Sequence, residues 1–182
     1  MPEYARAMKA FAAVIALLWA IGWATSPLDE VRAAYAACRS FAARAAPIAL
    51  ERPYDGVWKR GSTLEHGEFA SVWLEGRTVR VARLETSGED NAITVRYCFR
   101  RDGTLAFIHT SLGTFYADPG PVHVERRSYF DPRARRFREL EQVYDAKDRP
   151  VQRDFARYAL EFERVFVTSD RMRHFFGNAL RR

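Results

Sequence analysis

The spacing of apolar positions changes twice along the chain. Between Ser26 and Pro47, Leu28, Val31, Tyr35, Cys38, Ala42 and Ala45 recur every three or four residues. That spacing predicts an amphipathic helix with Cys38 on its inward seam. Ser26 suits the cap, Pro27 the first turn, and Asp29 and Glu30 the positive end of the helix dipole.

From Glu68 to Tyr144 the period falls to two. Strands are predicted near 68–74, 78–86, 92–100, 104–115, 122–130 and 137–144. Glu75-Gly76 and Arg101-Asp102-Gly103 have the composition of tight turns, and ADPGP and DPRAR form longer links. Short links between consecutive strands imply antiparallel pairing. The later stretch RDFARYALEFERVF places Phe155, Tyr158, Phe162 and Phe166 near helical spacing. The expected fold is therefore α+β, a single domain over 25–182. It has an N-terminal helix, an antiparallel meander of about six strands and a C-terminal amphipathic helix.

Pairing registers follow by counting outward from the turns. Phe99 opposite Leu105 sets Tyr97 against Phe107 and Val95 against His109. Phe115 opposite Val122 sets His109 against Ser128 and Phe107 against Phe130. Phe130 opposite Phe137 sets Arg126 against Glu141, an attractive pair. These registers place Ile93, Val95, Tyr97, Phe99, Leu105, Phe107, Phe130 and Phe137 on one apolar face. The other face carries Arg96, Cys98, Ile108, Thr110, Glu125, Arg127, Tyr129 and Leu140, partly covered by the Cys38 helix. CFRRDGTL, YFDPRARRF and VYDAKDRPV repeat a local habit: aromatic strand end, Asp- or Arg-rich turn, hydrophobic residue.

The beginning of the chain reads as an address. MPEYARAMKA carries Arg6 and Lys9, and an apolar run of 15 residues follows from Ala10 to Ala24. The run is shorter than the roughly 20 residues that cross a bilayer. Gly22 and Ala24 suit cleavage after Ala24, so residues 1–24 are expected to be a signal peptide and the mature chain periplasmic or secreted. The alternative is an inner-membrane anchor formed by residues 10–24. Export would place Cys38 and Cys98, the only cysteines, in an oxidising compartment, where a disulfide is expected.

The composition supports a folded core, with 48% hydrophobic residues and 14% aromatics. The net charge is +6, nearly all from arginine, because only Lys9, Lys59 and Lys147 are lysines. No long basic run or nucleic-acid module is present, so specific nucleic-acid binding is not expected.

CFRRDGTLAFI followed by ERRSYFDPRARRFRELE resembles a pattern in small uncharacterised exported bacterial proteins. In those, an aromatic strand, a Gly turn and an apolar strand precede an Arg-x-Tyr-Phe strand. The resemblance covers about residues 93–145 and departs at DPRARR, where such proteins often have a Gly turn. It implies a β-hairpin meander and export, with no assigned activity.

Chemistry-bearing residues are few. His109, Ser128 and Glu139 form a possible hydrolase set, but no GxSxG elbow surrounds Ser128. Glu139 and Glu141 share a face with Arg126, which reads as a salt-bridged ladder. His66 lies near Glu65 and Glu68, while His123 and His174 stand alone. No metal motif is present, and no metal or cofactor is expected. Tyr54, Trp58, Phe69 and Trp73 form an aromatic stretch suited to capping the sheet or lining a ligand mouth. The basic aromatic end holds Arg171, Arg173, His174, Phe175, Phe176, Arg181 and Arg182, a mixture able to meet anionic lipid or an acidic partner.

Three functions remain open on the sequence. The first is an exported non-enzymatic protein binding another protein or an envelope component. The second is a small periplasmic hydrolase using His109. The third is a carrier holding an apolar ligand between helix and curved sheet.

Overall fold

The structure is a computed structural model that describes residues 26–88, 90–114, 120–152 and 164–181. The proposed leader lies outside these ranges, as do most of the predicted 153–166 helix, Phe115 and Arg182. The chain divides into two compact units, Met1–Glu30 and Val31–Arg182.

The predicted first helix is α1 (Pro27–Arg44). Ser26 caps it, its hydroxyl accepting from the Asp29 amide at 3.2 Å. Val31 and Cys38 are the buried residues of the helix.

The described β-structure is one nine-stranded sheet in the order β2-β1-β3-β4-β5-β6-β7-β8-β9, and its pairings are antiparallel. The predicted meander is its centre: β3 (Glu68–Glu75), β4 (Thr78–Ser87), β5 (Asn91–Phe99), β6 (Leu105–Thr114), β7 (Val122–Phe130) and β8 (Arg136–Asp145). The expectation of six strands fell short by three short ones: β1 (Ile48–Arg52), β2 (Lys59–Arg60) and β9 (Pro150–Val151). Two-residue strands such as β2 and β9 carry no periodicity to read. β1 follows α1 closely and is defined by its pairing with β3. The described C-terminal helix is α2 (Ser169–Phe176), followed by a 3₁₀ turn at Gly177–Leu180.

The first hairpin turns at Gly76-Arg77 rather than Glu75-Gly76, because Glu75 still pairs with Thr78. Gly76 has φ of 61°, a left-handed conformation that suits glycine. The repeated hairpin habit has a physical basis in two turns. Asp131 accepts from the amides of Arg133 and Arg135, and its other oxygen from Arg135 Nε at 2.8 Å. Asp145 does the same with Lys147, Arg149 and Arg149 Nε at 2.9 Å.

The sheet contains three register shifts, and the last two correct counted pairings. They lie at Trp73/Leu74, Cys98/Phe99 and Tyr129/Phe130, and each leaves one extra residue: Arg80, Ala106 and Phe137. Phe99 does face Leu105, but beyond the Ala106 bulge Tyr97 faces Ile108, and Val95 faces Thr110. Between β6 and β7 there is no shift, but Val122 faces Thr114, one residue from the counted anchor, so His109 faces Arg127 rather than Ser128 and Phe107 faces Tyr129 rather than Phe130. Arg126 faces Glu141 as counted, whereas Phe130 faces Arg136 because Phe137 is bulged. A bulge inserts one residue and so exchanges the faces beyond it. Arg100 fastens this end of the sheet, donating to the carbonyls of Leu105 and Phe130 at 2.7 Å each.

The two faces therefore differ from the expected ones. One carries the larger core, including Ile93, Val95, Tyr97, Phe99, Leu105, Ile108 and Phe130, together with Trp58, Met172 and Phe176. The other packs Val81, Cys98, Ala106 and Phe107 against Val31 and Cys38 of α1. Ile108 and Thr110 are fully buried, with Ile108 in the larger core rather than beneath the helix. Phe107 moves the other way, and Phe137 is 42% exposed beside Tyr129. Cys38 and Cys98 form a disulfide with an S–S distance of 2.08 Å, joining α1 to β5 across 60 residues of chain.

Candidate functional site

The α1 face of the sheet can be read row by row from the cross-strand pairs. Beneath the helix lies a row of Trp73, Val81, Cys98, Phe107 and Tyr129. The next row is Ser71, Arg83, Arg96, His109, Arg127 and Leu140, the first four half-buried. Four consecutive strands thus place a basic side chain at the same level. The row beyond holds Glu85, Thr94, Ser111, Glu125 and Gln142.

Tyr35 of α1 sits over this sheet and separates two clefts. One, of about 240 Å³, is lined by Val31, Arg32, Tyr35, Phe107, His109, Glu125, Arg127 and Tyr129. The other, of about 360 Å³, has Arg39, Arg83 and Arg96 as its charged groups, with Tyr35 and Trp73 among its walls. The aromatic wall is continuous: Tyr35 meets Phe107 at 4.8 Å, and Phe107 meets Tyr129 at 5.2 Å between ring centroids. Trp73 is held by its indole N–H, which donates to the Ala45 carbonyl at 3.0 Å.

Two carboxylates only partly answer these cations. Glu85 pairs with Arg83. Glu125 accepts from Arg127 Nη2 at 2.6 Å and lies 3.8 Å from His109 Nε2. Burial, above all, holds His109 below the usual histidine range, with Arg127 and Arg96 acting in the same direction and Glu125 opposing them. Arg96 and Arg39 have no carboxylate partner among the described residues.

The residues singled out in the sequence are distributed as follows. His109 lies on the α1 face, while Ser128 lies on the other, where its hydroxyl donates to Glu139 at 2.9 Å. The sheet itself separates His109 from Ser128 and Glu139. Arg126 bridges Glu141 at 3.0 Å and Glu139 at 3.8 Å, the expected ladder. Burial, first, raises the Glu141 carboxyl, with Arg126 opposing and Glu139 reinforcing the rise. A serine–histidine pair that sequence reading passed over joins Ser111 Oγ to His123 Nε2 at 2.8 Å, with Tyr144 stacked on the imidazole at 5.7 Å. Ser111 sits between β5 and β7, so its backbone belongs to the ladders rather than to an oxyanion hole.

At the basic aromatic end, Phe176 is 1% exposed and Phe175 is half-buried, both packed edge-on to Trp58. Arg171, His174 and Arg181 are exposed, and Arg173 is half-buried. Arg182 lies outside the described residues. The apolar part of this surface is therefore turned into the core.

The row of basic residues was invisible to sequence reading because its members come from β4, β5, β6 and β7, and the wrong register assigned His109 to the opposite face. No protein-family profile, curated protein or solved structure matches the chain. Among the described residues, no helix is long and apolar enough to cross a membrane.

Proposed function

We propose that this protein is an exported, non-enzymatic binding protein, and that its ligand is an anionic component of the cell envelope held in the clefts beside α1. The observation that carries this reading is Arg83 directly opposite Arg96, with His109 and Arg127 continuing the row. Like charges placed opposite one another on neighbouring strands weaken a sheet. Several of them together, beside an aromatic wall, favour an anionic ligand that has a flat or apolar body. Export is supported by the leader-like N-terminus and by a disulfide of the kind found in oxidising compartments. The disulfide also anchors the helix that forms one wall of both clefts.

The test is binding of the purified protein to phosphatidylglycerol vesicles and to a soluble acidic polysaccharide, each against a neutral counterpart. One of the two acidic probes is expected to bind, with affinity falling as salt rises. The R83Q/R96Q double variant should bind that probe at least about tenfold more weakly, since each charged hydrogen bond contributes roughly 1.5–3 kcal/mol. Equal affinity in the double variant, or no binding of either probe, would reject the site.

A further inference from the structure

The opposite face of the sheet holds a third pocket, independent of the two clefts. It has a volume of about 80 Å³ and is lined by Trp58, Glu68, Leu84, Thr86, Ile93, Val95, Arg164 and Phe175. Its floor is aliphatic, supplied by Leu84 and Val95 in one cross-strand pair and by Ile93 opposite Thr86 in the next. Its aromatic residues are flanked by two guanidinium groups. The Arg52 guanidinium lies 5.1 Å from the Trp58 ring and 5.7 Å from Phe175, and that of Arg164 lies 5.0 Å from Phe175. Tyr97 fixes the strand of chain bearing Arg164, its hydroxyl donating to the Arg164 carbonyl at 2.8 Å.

Two features of this pocket call for a ligand. Trp58 is only 8% exposed, yet its indole N–H has no hydrogen-bond partner among the described residues, and neither does Arg52 Nε. Buried donors are normally satisfied, so these two are exceptions with a cost. The charges also fail to balance. Glu68 pairs with Arg52, while Arg164 has no carboxylate partner among the described residues. Burial, first, and then the Arg164 charge make Arg52 easier to deprotonate. The indole N–H needs an acceptor, and the exposed Arg164 guanidinium, solvated in the free protein, is available to an anionic one entering the pocket.

We infer that this pocket binds a short-chain carboxylate, with its carboxylate between Arg164 and the Trp58 N–H and its alkyl part on Leu84, Ile93 and Val95. The size admits a molecule of a few heavy atoms. One excess positive charge matches a monoanion, and Glu68 at the wall repels a dianion such as phosphate. The aliphatic floor distinguishes an alkyl carboxylate from an inorganic anion.

The experiment follows the indole ¹H–¹⁵N resonances of the full chain, with Trp58 assigned through W58F. Propionate, its neutral isostere propionamide and chloride are titrated at constant ionic strength. Propionate is expected to move the Trp58 resonance saturably and to leave Trp73 in place, while propionamide and chloride do neither. R164Q, at an exposed side chain, should weaken the response about tenfold or more. R83Q/R96Q should leave it unchanged, which separates this pocket from the clefts. A non-saturable response, an equal response to propionamide, or full retention in R164Q would overturn the inference and leave solvent as the occupant.

Discussion

Arg83 and Arg96 face each other directly across β4 and β5, on the side of the sheet that carries α1. Their mutual repulsion is a standing cost to the strand pair, of a few tenths to about 1 kcal/mol. Glu85 relieves Arg83, and Arg96 has no such relief among the described residues. R96Q is therefore expected to raise the stability of the ligand-free protein by about 0.5 kcal/mol while weakening anion binding. Urea denaturation read beside a binding titration checks both. A variant that is less stable would show that Arg96 serves the fold instead.

His109 links the same site to pH. The fold disfavours its charged form, so its folded value lies below the ordinary 6.5. Between 6.5 and that lower value the unfolded chain binds the proton and the folded chain does not, so this contribution to stability is lost as the pH falls through the window. An anion in the cleft reverses the preference, because it favours the imidazolium against Arg32, Arg96 and Arg127. Affinity should rise as the pH falls through 6.5 toward the lower folded value of His109. H109Q should abolish that rise. Unchanged pH dependence in H109Q would remove His109 from the site.

The Cys38–Cys98 bridge closes 60 residues of chain. In the chain-entropy view a loop of this length stabilises by about 4 kcal/mol, which is an upper figure. Replacing both cysteines by alanine should lower the urea midpoint accordingly. Clefts formed by α1 should lose affinity with it, since the helix is no longer stapled to β5. Binding that survives in the double variant with full strength would mean that packing around Val31 and Tyr35 suffices to hold the helix.

The paired turns at Asp131 and Asp145 predict a response at acid pH. The Arg149 side chain, together with the Arg149 amide, lowers the Asp145 carboxyl from 3.8 to about 2. Asp131 is lowered likewise, chiefly by the Arg135 amide. A carboxyl with a depressed folded value stabilises above its unfolded value and loses that contribution as the pH falls. Stability should therefore decline between about pH 4 and pH 2, and D145N should flatten part of that slope. Parallel acid titrations of the two proteins, followed by circular dichroism, provide the comparison.

Two phenylalanines test the bulge-corrected faces. Phe176 is buried against Trp58, and F176A should cost about 3–5 kcal/mol through lost contacts and a cavity. Phe137, displaced from the counted register, is 42% exposed, and F137S should stay within about 0.5 kcal/mol of the parent. Comparable losses in both would restore Phe137 to the core.

Much of the architecture was legible from local signals. Alternation located β3 through β8 to within a residue or two, and the three-four spacing located α1 with Cys38 facing inward. Turn chemistry placed Gly103, and counting outward from the turn between β7 and β8 set Arg126 opposite Glu141. These properties depend on neighbours a few residues apart. The faces did not, because a single uncounted residue at Ala106 or Phe137 exchanges them, and a bulge is decided by the partner strand and by ties such as Arg100 to Phe130. Only the assembled sheet could bring Arg83, Arg96, His109 and Arg127 into one row, separate His109 from Ser128, and turn Phe176 inward. Periodicity determines which residues alternate, whereas the side on which each lands is set by pairing across many residues of sequence.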